Sequence, residues 1–194
     1  MNIPKTFVSQ GKVLSGDVDI SEGFNNFFSN IGPNLANKIT SSNYKFSDYL
    51  SEETKENFIF ANMTPTIINK ALNKLKNKNS SGPDKISTNL LKSIMPVIMN
   101  PICYLFDLSF KSGYIPTLLK TAKIVPIYKT GETDKFTNYR PISLLSSFSK
   151  LLEKVAGTQI MNYLNKFKLL YNHQYGFRAG HNTTQPLIHF LDKI

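Results

Sequence analysis

Ala122-Lys123-Ile124-Val125-Pro126-Ile127-Tyr128 and Asn138-Tyr139-Arg140-Pro141-Ile142-Ser143-Leu144-Leu145 decide how this chain is read. The first stretch alternates and is rich in β-branched residues, which predicts a strand over 122–128. Pro126 has no N–H to give a ladder, so an edge position or a bulge is expected there. A polar loop containing Thr130-Gly131 fills 129–137. A second strand is expected near 138–143, closing a small antiparallel hairpin.

Working outward, Ser146 or Ser147 caps a helix that runs to about residue 167, with Leu151, Leu152, Val155, Ile160 and Leu164 on its buried side. A short aromatic turn from Tyr171 to Phe177 precedes a last helix beginning near Asn182. Upstream, residues 87–95 and 97–112 are expected as two helices separated near Pro96, the second ending at Gly113. Asn79-Ser80-Ser81-Gly82-Pro83-Asp84 is a dense turn cluster. Thr64-Pro65 opens a helix whose apolar face is Ile67, Ile68, Ala71, Leu72 and Leu75, with Lys70, Lys74, Lys76 and Lys78 around it. Ser21 is a candidate N-cap for a helix carrying Phe24, Phe27, Phe28, Ile31 and Leu35, with a break at Gly32-Pro33. Residues 40–58 are polar and predict a loop with some helix. The fold class is α/β: helices, then a small hairpin, then helices.

The 194 residues are long enough for one domain with a buried core. Hydrophobic residues make up 41% and charged residues 19%, a globular composition. The net charge of +10 points to a polyanionic partner, nucleic acid first. That charge is uneven. Residues 1–62 hold five Lys against seven acids, a net of −2; residues 63–194 hold 18 basic residues against six acids, a net of +12. The first stretch is therefore expected to be a connector, and 63–194 the unit that meets a polyanion. The single cysteine, Cys103, lies in an apolar helical run and is expected to be a buried, inert thiol. With no disulfide or zinc pattern, no signal peptide after Met1-Asn2-Ile3-Pro4-Lys5 and no uninterrupted apolar stretch near 18 residues, the expected compartment is the nucleus or cytoplasm, with no membrane partner.

Four segments occur in order: Ser80-Ser81-Gly82-Pro83-Asp84, Ile124-Val125-Pro126-Ile127-Tyr128-Lys129, Asn138 to Leu145, and Gln174-Tyr175-Gly176-Phe177-Arg178. Gly113-Tyr114-Ile115-Pro116 and Lys150-Leu151-Leu152-Glu153-Lys154 link them. Together they resemble the region before the palm aspartates in reverse transcriptases of non-LTR, LINE-like (jockey-type) retrotransposons. The resemblance is specific over 80–180 and weaker over 20–80.

The resemblance implies the fingers side of a right-hand polymerase, an N-terminal extension plus fingers over 63–194, with an incomplete palm. It also implies a hairpin whose basic side chains close over a nucleoside triphosphate. The matching positions are Lys129 and Arg140; a guanidinium suits bidentate phosphate contact and an ammonium acts as a point charge. Template or other nucleic-acid contacts are implied for Lys123, Asn138, Tyr139, Gln174, Tyr175, Gly176, Phe177 and Arg178. Arg140 and Arg178 are the chain's two arginines, against 21 lysines, and both fall inside these motifs. Two readings stay open for Arg140: phosphate contact, or pairing with Glu132 or Asp134. Two also stay open for Phe177: base stacking, or core. Asp84 is read as a turn residue that satisfies backbone donors.

The family's partners are an RNA template, a DNA primer or RNA–DNA hybrid, and a deoxynucleoside triphosphate. Its cofactor is Mg²⁺, held by palm aspartates. The acids after residue 62 are Asp84, Asp107, Glu132, Asp134, Glu153 and Asp192, and no two are adjacent. Phe190-Leu191-Asp192-Lys193-Ile194 only imitates the first aspartate motif, and Asp192 is expected on a helix surface. His173, His181 and His189 are not expected to form a metal set; 181 and 189 are expected on a similar helix face. No catalytic or metal residue is therefore assigned. The expectation is a truncated RNA-directed DNA polymerase without its own activity. The competing readings are a non-enzymatic nucleic-acid-binding module and a non-functional transposon remnant.

Overall fold

The computed structural model describes residues 4–9, 11–49 and 55–192. Met1 to Ile3, part of the 40–58 loop, and Lys193 and Ile194 lie outside the described residues.

The hairpin forms as expected. Strands β3 (Ala122–Tyr128) and β4 (Tyr139–Leu145) pair antiparallel in a two-stranded sheet, from Ala122 opposite Leu145 to Tyr128 opposite Tyr139. Pro126 faces Pro141 across the ladder without a break in register. Each strand has only one partner, so each proline's missing N–H can face away from the ladder.

Helix α5 (Ser147–Lys166) follows at once. The Ser146 hydroxyl accepts from the Phe148 N–H and caps it. Upstream, α2 (Pro65–Asn73) starts at Thr64, whose hydroxyl accepts from the Ile67 N–H. Next, α3 (Thr88–Ser112) runs unbroken through Pro96 and Pro101. The expected separation near Pro96 does not occur. Met95, Ile102, Cys103 and Phe106 are buried on one face on both sides of the prolines, and that burial outweighs the missing backbone hydrogen bonds. Gly113 closes the helix at φ 70°, the left-handed C-cap expected of it.

These three helices bury the main core. Ile68 and Leu72 of α2 meet Leu91 and Met95 of α3 and Leu151, Leu152 and Val155 of α5. Cys103 lies in this core, and burial pushes its thiol pKa up. By length and hydropathy α3 is long and apolar enough to cross a membrane, but one of its faces is this core.

The N-terminal region differs more from expectation. Two short strands, β1 (Thr6–Ser9) and β2 (Lys12–Ser15), form a separate antiparallel hairpin. Helix α1 (Asp17–Ala36) begins four residues before Ser21 and continues through Gly32-Pro33. Ser21 is not its cap; its hydroxyl donates back to the Asp17 and Val18 carbonyls. Phe7, Ile20 and Phe24 of this region bury with Phe136 and Tyr139 in a second core. The 40–58 loop contains a 3-10 turn, Phe46–Tyr49. A four-residue helix α4 (Thr117–Lys120) precedes β3, and α6 (Thr184–Leu191) follows the aromatic turn. Asn182 starts α6 as expected: its side-chain oxygen accepts from the Thr184 and Gln185 N–H groups, and Gln185 accepts from the Asn182 N–H in return.

Candidate nucleic-acid interface

Side chains alternate across a strand, and the register sets which of them share a face. On β3 and β4, one face carries Ala122, Ile124, Pro126 and Tyr128 with Tyr139. Tyr128 packs on the second core and Tyr139 is part of it. The opposite face carries Lys123, Val125 and Ile127 with Arg140, Ile142 and Leu144. Lys129 extends this second face: its N–H donates to the Asn138 carbonyl at 2.8 Å, one rung beyond Tyr128 and Tyr139.

Lys123, Lys129 and Arg140 therefore share one face of the hairpin, and all three are exposed. Among the described residues none of them has an ion-pair partner. Glu132 pairs instead with Lys135 at 2.8 Å, and this contact raises the Lys135 pKa. Of the two readings left open for Arg140, pairing with Glu132 or Asp134 is absent.

Asn138 and Tyr139 are placed differently. The Asn138 amide donates to the Glu132 carbonyl at 2.8 Å and ties down the loop. Gly131, at φ 93°, is required beside it, since a Cβ there would lie 2.7 Å from the Asn138 side-chain nitrogen. Tyr139 is buried, its hydroxyl donates to the Thr133 carbonyl at 2.7 Å, and burial raises its pKa. Tyr139 lies on the face opposite the basic one; Asn138 stands across from Lys129, but its amide is taken up by the loop carbonyl.

The Gln174 to Arg178 segment lies in the turn before α6. Gln174 and Gly176 are exposed and Tyr175 is half-buried. Phe177 is fully exposed, with φ 59°, so of its two readings the core one is excluded. A bulky residue in the left-handed region is uncommon and costs about 1–2 kcal/mol. Arg178 donates to the Tyr171 carbonyl at 3.4 Å, across the turn. The rings of His173 and His189 lie 4.4 Å apart between centroids. His181 precedes α6 and so shares no helix face with His189, contrary to expectation. Among the described residues no three His, Cys, Asp or Glu are grouped to hold a metal, and the carboxylates present do not fit a pair of Mg²⁺ ions. Asp192 is exposed at the C-cap of α6, and Asp84 accepts from the Ile86 N–H, both as expected.

Sequence reading missed three structural contributors. Phe7 and Gly23 support the hairpin loop, and Gly82 packs against the end of β4. Gly82 stood in a recognisable turn cluster. Phe7 had a fainter signal, two short runs with paired apolar residues, Phe7-Val8 and Val13-Leu14, on either side of Gly11.

No family model matches the chain. It is similar to a probable RNA-directed DNA polymerase from transposon BS of Drosophila melanogaster, with 32% identity over 63% of this chain and 14% of the relative. A probable RNA-directed DNA polymerase from transposon X-element of the same organism is 28% identical over 76% of this chain and 16% of the relative. The RNA-directed DNA polymerase from its mobile element jockey is 26% identical over 79% of this chain and 18% of the relative. The chain spans less than a fifth of the length of these curated relatives. Over that stretch, this chain is a relative of the reverse transcriptases of jockey-type, LINE-like retrotransposons.

Proposed function

We propose that the chain is the fingers side of a retrotransposon RNA-directed DNA polymerase, and that it grips nucleotide and template without supplying the metal-binding aspartates. The observation that carries this reading is the shared exposed face of Lys123, Lys129 and Arg140 on the hairpin. Phosphoryl transfer depends on positioning and on neutralising a triphosphate, and three exposed cations on one face of a hairpin, without ion-pair partners among the described residues, suit that task. Lys129 and Arg140 hold the triphosphate of the incoming deoxynucleotide. Lys123 and the Gln174 to Arg178 turn meet the RNA template, with Phe177 offering an aromatic face to a base. The partners are an RNA template with its DNA primer, inside the cell in nucleus or cytoplasm. Mg²⁺ belongs to carboxylates other than those present here.

Two measurements test this. Binding of an RNA–DNA hybrid to the chain is expected to weaken steeply between low and moderate salt, as released counterions require; absent or salt-insensitive binding overturns the reading. Primer extension on a poly-rA template with Mg²⁺ is expected to give nothing above a buffer control, and product formation would refute the missing-carboxylate part.

A further inference from the structure

The exposed basic face is carried by a hairpin whose connecting loop is held by residues from the far end of the chain. Phe7 of β1 is fully buried. Its ring stacks on Phe136 at 4.8 Å between centroids and meets Phe24 edge-on at 5.0 Å and Tyr139 at 5.6 Å. Phe24 in turn meets Phe136 edge-on at 4.7 Å. The Val8 N–H donates to the Asp134 carbonyl at 3.1 Å, so β1 also bonds the loop backbone directly. Gly23 of α1 sits so close that a Cβ would lie 2.5 Å from the Phe136 ring and 3.0 Å from Leu14.

Phe136 and Tyr139 bracket Asn138, whose carbonyl accepts from Lys129, and Tyr139 precedes Arg140. Lys129 and Arg140 thus sit at the loop end of the ladder, where two strands alone fray most easily. The aromatic core under that end is built from Phe7 and Phe24 rather than from the main helical core.

We infer that residues 6–36 act as a brace that holds the 129–138 loop, with Phe7 and Gly23 as positioning residues for Lys129 and Arg140. The acidic first stretch of the chain is then part of the nucleotide grip and not only a connector. This inference rests on the nucleotide-facing reading above. Its mechanical part, the coupling of β1 to the loop, stands separately.

The test compares full-chain wild type with Phe7→Ala, the conservative Phe7→Leu, and Gly23→Ala. The last adds helix-favouring Ala yet pushes on Phe136. Amide hydrogen exchange is read over 129–140 and over α3 and α5, and deoxynucleoside triphosphate with Mg²⁺ is titrated in parallel. Phe7→Ala and Gly23→Ala are expected to speed exchange of the loop at least tenfold while α3 and α5 stay protected. Their nucleotide affinity should fall by a similar factor, and Phe7→Leu should recover most of both. Unchanged loop exchange overturns the brace. Equal acceleration in α3 and α5 overturns it too, because the two cores would then open as one unit. Faster loop exchange in a protein whose wild type binds no nucleotide leaves the brace standing and refutes the nucleotide reading instead.

Discussion

Gly82 lies against Ser146 with no room for a side chain: a Cβ at Gly82 would stand 2.5 Å from the Ser146 amide nitrogen and 2.7 Å from the Leu145 carbonyl carbon. The Ser80–Asp84 turn thus touches the backbone where β4 becomes α5. Next to this contact, the buried Ser147 hydroxyl donates to the Ile86 carbonyl at 2.8 Å and lies 3.5 Å from the Thr88 hydroxyl. Two motifs far apart in sequence form one clamp, and it fixes where β4 ends.

Gly82→Ala is therefore expected to destabilise the chain. Both obstructing groups are backbone, so relief needs a main-chain shift rather than a rotamer change. Overpacking of this kind costs about 1–3 kcal/mol. Urea unfolding would measure it, and a midpoint equal to wild type would show that the contact yields freely.

Asp107 gives the protein an acid-sensitive contact. Its carboxylate meets Lys111 at 2.5 Å and accepts from the Met63 N–H at 3.0 Å, and these two contacts, Lys111 first, lower its pKa. A depressed carboxylate pKa stabilises the fold above the ordinary value of 3.8, and that contribution fades as pH falls from there through the folded value. Asp107→Asn should unfold at lower urea than wild type at pH 7, with the two midpoints converging near the acid limit. A constant gap at every pH would contradict the assignment.

Lys129→Ala combined with Arg140→Ala should weaken binding of a deoxynucleoside triphosphate and leave the fold intact, since both side chains are exposed and without ion-pair partners among the described residues. The salt dependence of nucleotide binding should weaken with it, because fewer charged contacts remain to be screened. Unchanged nucleotide affinity at both low and moderate salt would place the triphosphate elsewhere.

Phe177 combines full exposure with a left-handed backbone. Phe177→Gly relieves about 1–2 kcal/mol of backbone strain while adding about 0.5–1 kcal/mol of unfolded-state entropy. Thermal stability should accordingly hold or rise slightly. Affinity for single-stranded RNA should fall by about 1–3 kcal/mol if a base stacks on the ring. Reduced stability with unchanged RNA affinity would make the residue purely structural.

The hairpin and the helix ends at Thr64, Ser146 and Gly113 were legible in the sequence because each rests on local chemistry. Alternation, a hydroxyl facing free N–H groups and a glycine at a left-handed C-cap all act within a few residues. The lineage was legible for the same reason, since it lies in ordered short motifs. Ser21 and Pro96 misled because local preference there was overruled. Phe24 and Met95 bury on faces that continue past these signals, and packing sets the helix ends.

The sequence by itself determined the α/β class, the two-stranded hairpin with its basic residues and the family to which the chain is related. Only the tertiary structure decided that Tyr139 turns into the second core and that the Asn138 amide is held by the Glu132 carbonyl, while Lys123, Lys129 and Arg140 stay exposed, because a second core covers one face of the pleat and leaves the other open. It likewise decided that Phe7 belongs under the loop and Gly82 against Ser146. Contacts between residues so distant along the chain leave no periodic trace; they arise only when hydrophobic burial brings those segments together.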